Sequence, residues 1–181
     1  MQFCITQMVG ANMILAGIDS GRRGAVFKGD LRTGASKIQL FMYGENQVLK
    51  NDLTEFLCNV DLVLIEGIHG DGRWPVNVNF KMGFFFGQVM SQLGLFLYTK
   101  QIKIIPSLEW TRAIHQNLPK TEKKIKSKEK TLMCYHKFYP HDPIKRYTGR
   151  QHHHDGIVDA LMLVTYYLTS QNQRPPEWII Q

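Results

Sequence analysis

A chain of 181 residues that is 44% hydrophobic can close one compact core and is too short for two full-sized domains. Cys4, Cys58 and Cys134 are odd in number and form no CxxC pair, which excludes a disulfide framework or zinc knuckle, and no run reaches membrane-spanning length. The formal net charge of +7 is concentrated, because Lys120 to Arg150 holds ten Lys or Arg against three acids, a surplus of seven that leaves the rest of the chain neutral.

The opening stretch MQFCITQMVGANM lacks the basic start and apolar middle of a secretion signal, so a cytoplasmic protein with no membrane association is expected. Residues 1–12 read as a loose lead-in, 13–170 as a single domain, and 171–181 as a C-terminal tail whose QRPPEWII makes a surface strap. Ile14 to Ile18 predicts a strand, Asp19-Ser20-Gly21 the turn after it, and Ala25 to Lys28 the partner of a hairpin. Lys37 to Met42 supplies a third strand, completing an antiparallel meander. Asn51 stands where it can cap a short helix over Asp52 to Asn59. Leu62 to Ile65 is the nearly continuous apolar run expected of a central strand buried on both faces, and Glu66 sits at its carboxyl end.

The link GIHGDGRWPVNV, Gly67 to Val78, mixes glycines and Pro75 with His69, Arg73 and Trp74, which suits a loop at the mouth of a site. Asn79 to Leu93 predicts a helix in which Gly83 and Gly87 let another backbone approach, either within the core, the preferred reading, or across a dimer seam. Ile102 to Ile105 is a further strand, ended by Pro106. Ser107 is placed to cap the helix through Trp110, Ile114 and His115, with Trp110 read as core. Lys130 to Tyr139 continues as helix, and a loop with Pro140 and Pro143 precedes the last one.

That last helix, within HHHDGIVDALMLVTYYL from His152 to Leu168, combines an apolar body with two acids one turn apart. At i and i+4 the carboxylates of Asp155 and Asp159 project side by side and repel each other unless a cation lies between them. Asp19 and Glu66 end two other apolar strand-like runs, so three separate elements offer four candidate ligands for a divalent metal. Blander roles exist for each: Asp19 can shape a turn, Asp155 can favour a helix dipole, and the lysine run can be a solvated face. Glu66 is harder to set aside, since a carboxylate closing a buried strand needs a partner. Three strands, then helix, strand, helix, strand and helices, is the order of an RNase H-like α/β fold, a mixed five-stranded sheet flanked by helices.

The segments GIDSG (Gly17 to Gly21), LIEG (Leu64 to Gly67), IIPSLEW (Ile104 to Trp110) and HDGIVDAL (His154 to Leu161), in this order, resemble the RuvC-type Holliday junction resolvases, above all their phage-type relatives. The resemblance implies a metal-dependent endonuclease that acts as a homodimer and nicks two strands of a four-way DNA junction, leaving 5′-phosphate and 3′-hydroxyl ends. It makes Asp19, Glu66, Asp155 and Asp159 the catalytic and metal-binding acids, with Asp19 bridging two ions. Hard carboxylate oxygens favour Mg²⁺, with Mn²⁺ able to substitute. Cellular members usually space the last two ligands three residues apart, whereas Asp155 and Asp159 are four apart, a spacing more similar to that of the phage-type relatives, and His154 is an alternative ligand or a proton-transfer group. Arg22, Arg73, Lys120, Lys123, Lys124, Lys126 and Lys128 are candidate phosphate contacts. Alternatives that stay open are another RNase H-like nuclease, acting on RNA–DNA hybrids or branched DNA, and a non-catalytic junction-binding protein.

Overall fold

Side chains alternate between two faces along β1 (Ile14–Asp19), and each face is covered by a different apolar layer. Leu15 belongs to a core shared with the last helix, whereas Ala16 and Ile18 belong to a second core on the opposite side. The structure is a computed structural model describing residues 12–68, 75–94, 101–116, 118, 125–148 and 154–181. Of the sequence-based expectations, those for residues 1–11, His69, Arg73, Trp74, Lys120, Lys123, Lys124, His152 and His153 lie outside the described residues.

β2 (Ala25–Asp30) pairs antiparallel with β1 and β3 (Ala35–Leu40) antiparallel with β2, which is the expected meander. β4 (Leu62–Gly67) returns parallel to β1, and β5 (Gln101–Pro106) lies parallel to β4. The sheet order is β5-β4-β1-β2-β3-β6, a mixed α/β sheet flanked by helices as expected, with six strands where five were expected. The added strand, β6 (Ile179–Ile180), comes from the segment expected to be a surface strap, and it pairs parallel with the start of β3. It is anchored by Trp178, which is buried, packs edge-on against Phe27 at 5.1 Å between centroids and donates to the Tyr139 hydroxyl at 3.1 Å.

Two groups of helices cover the two faces. α1 (Leu53–Phe56) and α2 (Val76–Leu93) place Leu53, Val89 and Leu93 on the Ala16 side. α3 (Ser107–His115), α4 (Ser127–Phe138), α5 (Pro143–Thr148) and α6 (Asp155–Ser170) contribute to the Leu15 side, with Trp110, Tyr135, Ile144 and Leu161 among its buried residues. α6 crosses β1 closely, and Gly17 makes this possible: a Cβ there would lie 2.1 Å from the Ala160 carbonyl oxygen.

Local capping differs from expectation in three places. Asp52, not Asn51, caps α1, accepting from Thr54 N at 2.8 Å; Asn51 is buried and instead ties Met42 N (2.6 Å) to the Leu40 carbonyl (2.9 Å). Ser107 is the first residue of α3 and Pro106 holds the cap position. Pro143 opens a helix where a loop was expected, because Asp142 accepts from Lys145 N at 3.0 Å and proline suits a first helical position. The expectation that Gly83 and Gly87 pack in the core is not met among the described residues, since a Cβ at either would meet nothing within 4 Å. No helix among the described residues is long and apolar enough to cross a membrane.

Removing the Trp178 ring should cost about 3–5 kcal/mol, the usual loss for a buried tryptophan cut to alanine. Urea unfolding of Trp178→Ala is expected to show a midpoint well below wild type. An unchanged midpoint would mean that the tail does not dock on the sheet.

Candidate acidic metal centre

Strand parity decides which way the acids point. Leu15, Gly17 and Asp19 share one face of β1, and Leu62, Leu64 and Glu66 share one face of β4. Leu15, Leu62 and Leu64 all belong to the core beneath α6, so both acids face that helix. The parallel register, with Ile18 opposite Ile65, puts Asp19 and Glu66 on neighbouring strands one residue beyond the last pair. α6 completes the arrangement from above. A Cβ on Gly156 would fall 2.2 Å from the Arg23 carbonyl oxygen and 3.0 Å from Asp19 Oδ2, so only glycine lets the first turn of α6 seat on the strand end.

The charges at this point are unbalanced. Burial and the charge of Glu66 raise the Asp19 carboxyl from its ordinary 3.8 to about 6, against the opposing pull of the Gly21 N–H, Lys128 and His154. Asp159, in the second turn of α6, is held well above the ordinary carboxylate range by burial and by Asp19 and Glu66. Asp155, the first residue of α6, stands at the exposed rim and accepts from Lys128 Nζ at 2.7 Å. That ion pair is open to solvent, with side chains 71% and 51% exposed, and contributes at most about 1 kcal/mol. Hydrogen bonding to Asp155, then the charges of Asp155, Asp159 and Asp19, raise the Lys128 ammonium against partial desolvation.

Asp19, Glu66 and Asp159 are therefore mutually coupled, with Asp155 and Lys128 on the edge. His154 holds the cap position of α6 and is half-buried, near enough for its charge to be felt at Asp19. Arg22 is exposed on the turn after β1, and Lys126 is exposed at the cap position of α4. Among the described residues no three acidic, His or Cys side chains already form a closed metal cage. The donor set nevertheless suits a hard divalent cation, since it offers carboxylate oxygens, and at Asp19 and Asp159 burial and the neighbouring acids disfavour the charged form that a cation would favour.

Three neighbours escaped the reading of sequence alone. Trp110, 2% exposed, donates its indole N–H to Glu66 Oε1 at 3.2 Å. Tyr43 donates to the Gly21 carbonyl at 3.3 Å, bracing the turn whose Gly21 N–H reaches Asp19 Oδ1 at 2.9 Å. Burial and the Asp19 charge push the Tyr43 phenol up to about 12. Gly156 is the third, and its only sequence signal is the Asp-Gly step at a helix start.

Two solved structures are similar over most of the chain. One is RuvC of T. thermophilus in complex with a Holliday junction substrate: 13% identity, 91% of this chain and 99% of that one, TM-score 0.47. The other is a Thermus thermophilus RuvC structure: 16% identity, 91% of this chain and 100% of that one, TM-score 0.43. The likeness is one of fold. No protein-family model and no curated protein matches the chain.

Because the folded Asp19 titrates near 6 and the unfolded one near 3.8, the folded state holds its proton more tightly within that window. Stability of the metal-free protein should then fall as pH rises from about 4 through 6, by up to about 3 kcal/mol from this group. Asp19→Asn is expected to flatten that slope and raise the thermal midpoint in EDTA at pH 7. A variant no more stable than wild type, with an unchanged slope, would contradict the burial and repulsion assigned to Asp19.

Proposed function

We propose that this chain is a divalent-metal-dependent endodeoxyribonuclease that resolves four-way DNA junctions as a homodimer in the cytoplasm. The observation that carries this reading is the gathering of Asp19, Glu66 and Asp159, from β1, β4 and α6, on one face at one end of the sheet, with their repulsion only partly offset by Lys128. A protein that only bound phosphates would gain nothing from placing buried negative charge there. Mg²⁺, or Mn²⁺ in its place, held by Asp19, Glu66 and Asp159 with Asp155 at the rim, would supply Lewis-acid charge for phosphodiester hydrolysis to a 5′-phosphate end.

The chain's own residues prepare the approach of the substrate. Lys128 sits in the first turn of α4 beside the acids, and its exposed pairing with Asp155 is weak enough to exchange for a phosphate oxygen. Arg22 lies exposed on the β1–β2 turn next to Asp19. His154, at the head of α6, is placed for proton transfer near Asp19. Arg73, Lys120, Lys123, Lys124 and Lys126 are the further phosphate contacts that the sequence offers for drawing in the DNA backbone.

Support for a homodimer comes from the outer face of α2. Val76 and Phe80 are 85% and 72% exposed, and Phe84 joins them one turn on, stacked with Phe80 at 6.5 Å between centroids. The open Gly83 and Gly87 lie along the same stripe. Exposed aromatics around a flat small-residue strip are what a second copy of this helix would cover. Two acidic centres would then serve two strands of a junction.

The proposed activity is tested by incubating the protein with a labelled four-way junction, a linear duplex and an RNA–DNA hybrid, in Mg²⁺, Mn²⁺ or EDTA. Paired nicks confined to the junction and dependent on metal are expected, whereas hybrid degradation or uncut binding would overturn the reading. Glu66→Gln and Asp159→Asn should each slow cleavage by about a thousandfold or more, roughly 4 kcal/mol of barrier, with junction affinity in EDTA unchanged or tighter. Near-normal cutting in either variant would remove that residue from the site. Sedimentation of Phe80→Glu/Phe84→Glu should give a monomer where wild type is a dimer. A dimeric variant would place the seam elsewhere.

A further inference from the structure

We infer that Trp110 is a positioning residue for the metal centre: its indole N–H fixes the Glu66 carboxylate toward the cation site shared with Asp19 and Asp159 and so sets the metal affinity. This rests on the metal-nuclease reading above and adds to it a residue from the buried core. The contact is built by the sheet. β5 pairs with β4 so that Ile105 lies opposite Glu66 and Pro106 opposite Gly67, and α3 starts at the next residue. Trp110, one turn into α3, thus meets a carboxylate 44 residues earlier in sequence, with Nε1 3.2 Å from Oε1.

An indole N–H is a donor only, and once buried it needs an acceptor. The other buried tryptophan among the described residues, Trp178, finds a neutral hydroxyl, that of Tyr139, far from the acids at the opposite end of the sheet. Trp110 instead donates to an acid at the candidate metal site, and a charged acceptor makes such a bond about twice as strong as a neutral one. Glu66 has particular need of it. Repulsion from Asp19 and Asp159 would drive this flexible side chain away from the cluster before any cation arrives. A rigid donor engaging Oε1 counters that drift and leaves Oε2 for an ion. A tryptophan present only to fill the core would lose nothing essential on replacement by another large ring.

The test is Mn²⁺ binding by calorimetry without DNA, for wild type and Trp110→Phe, which keeps an aromatic ring and removes the donor. Replacing Trp110 by β-(3-benzothienyl)alanine, whose sulfur stands where the N–H was, serves as a second variant of nearly the same shape. Mn²⁺ affinity is expected to weaken by about 10- to 100-fold in both. Junction affinity in EDTA should stay at the wild-type value, and cleavage should recover as Mn²⁺ is raised. Should Trp110→Phe also lower the thermal midpoint in EDTA, the benzothienyl protein decides. Wild-type Mn²⁺ affinity in that protein would overturn the positioning role while leaving the nuclease reading intact. Wild-type protein that neither binds Mn²⁺ nor cuts a junction would instead remove the nuclease reading and this inference together.

Discussion

Carboxylates from three separate elements are held at one end of a sheet although they repel one another, and the rest of the molecule is arranged to keep them there. Parallel pairing of β1 and β4 sets Asp19 beside Glu66, and strand parity turns both toward α6. Glycines at 17 and 156 let α6 press against the strand, bringing Asp159 into the field of the other two. Burial and mutual charge raise Asp19 and Asp159, and the Gly21 N–H at Asp19 and Lys128 at both offset that only in part. A fold that only needed stability would place apolar or neutral groups at such a point. Retained electrostatic cost of this kind belongs with a site that gains from a cation.

The two faces of the sheet divide the work. On the α6 side, a core including Trp110, Tyr135 and Leu161 makes a stiff support for the acids, and α3 and α4 each send one side chain to the site. Those two side chains act differently. Trp110 is buried and holds Glu66 from within, whereas Lys128 is exposed and pairs with Asp155 at the rim. On the other side, α2 buries Phe85, Val89 and Leu93 and leaves Val76 and Phe80 in solvent. That division would suit the proposed homodimer, with the acids on one side of the sheet and the seam on the other.

Much of this was legible in the sequence because strand ends are marked by composition. The apolar runs before Asp19 and Glu66 end in a charged residue and a glycine or its neighbour, and both turned out to be adjacent parallel strands. The i, i+4 spacing of Asp155 and Asp159 fixed a shared helical side, but not that burial would separate them, leaving Asp155 exposed at the rim and Asp159 half-buried one turn on. Features that depend on long-range contacts were hidden. No local pattern tells that an indole at 110 will reach a carboxylate at 66, or that a proline-rich tail ends in a strand pinned by Trp178. Likewise Asn51 looked like a cap because it precedes a helix, but the residue after it had the better geometry and Asn51 was drawn into the core by two backbone bonds.

The most direct measurement is a crystal of the protein soaked in Mn²⁺ and examined by anomalous scattering. Density bounded by the carboxylates of Asp19, Glu66 and Asp159 is expected, with the Glu66 side chain still held by the Trp110 N–H. Mn²⁺ bound elsewhere, or those three side chains turned away from a common centre at saturating metal, would contradict the cation site on which the proposed chemistry depends.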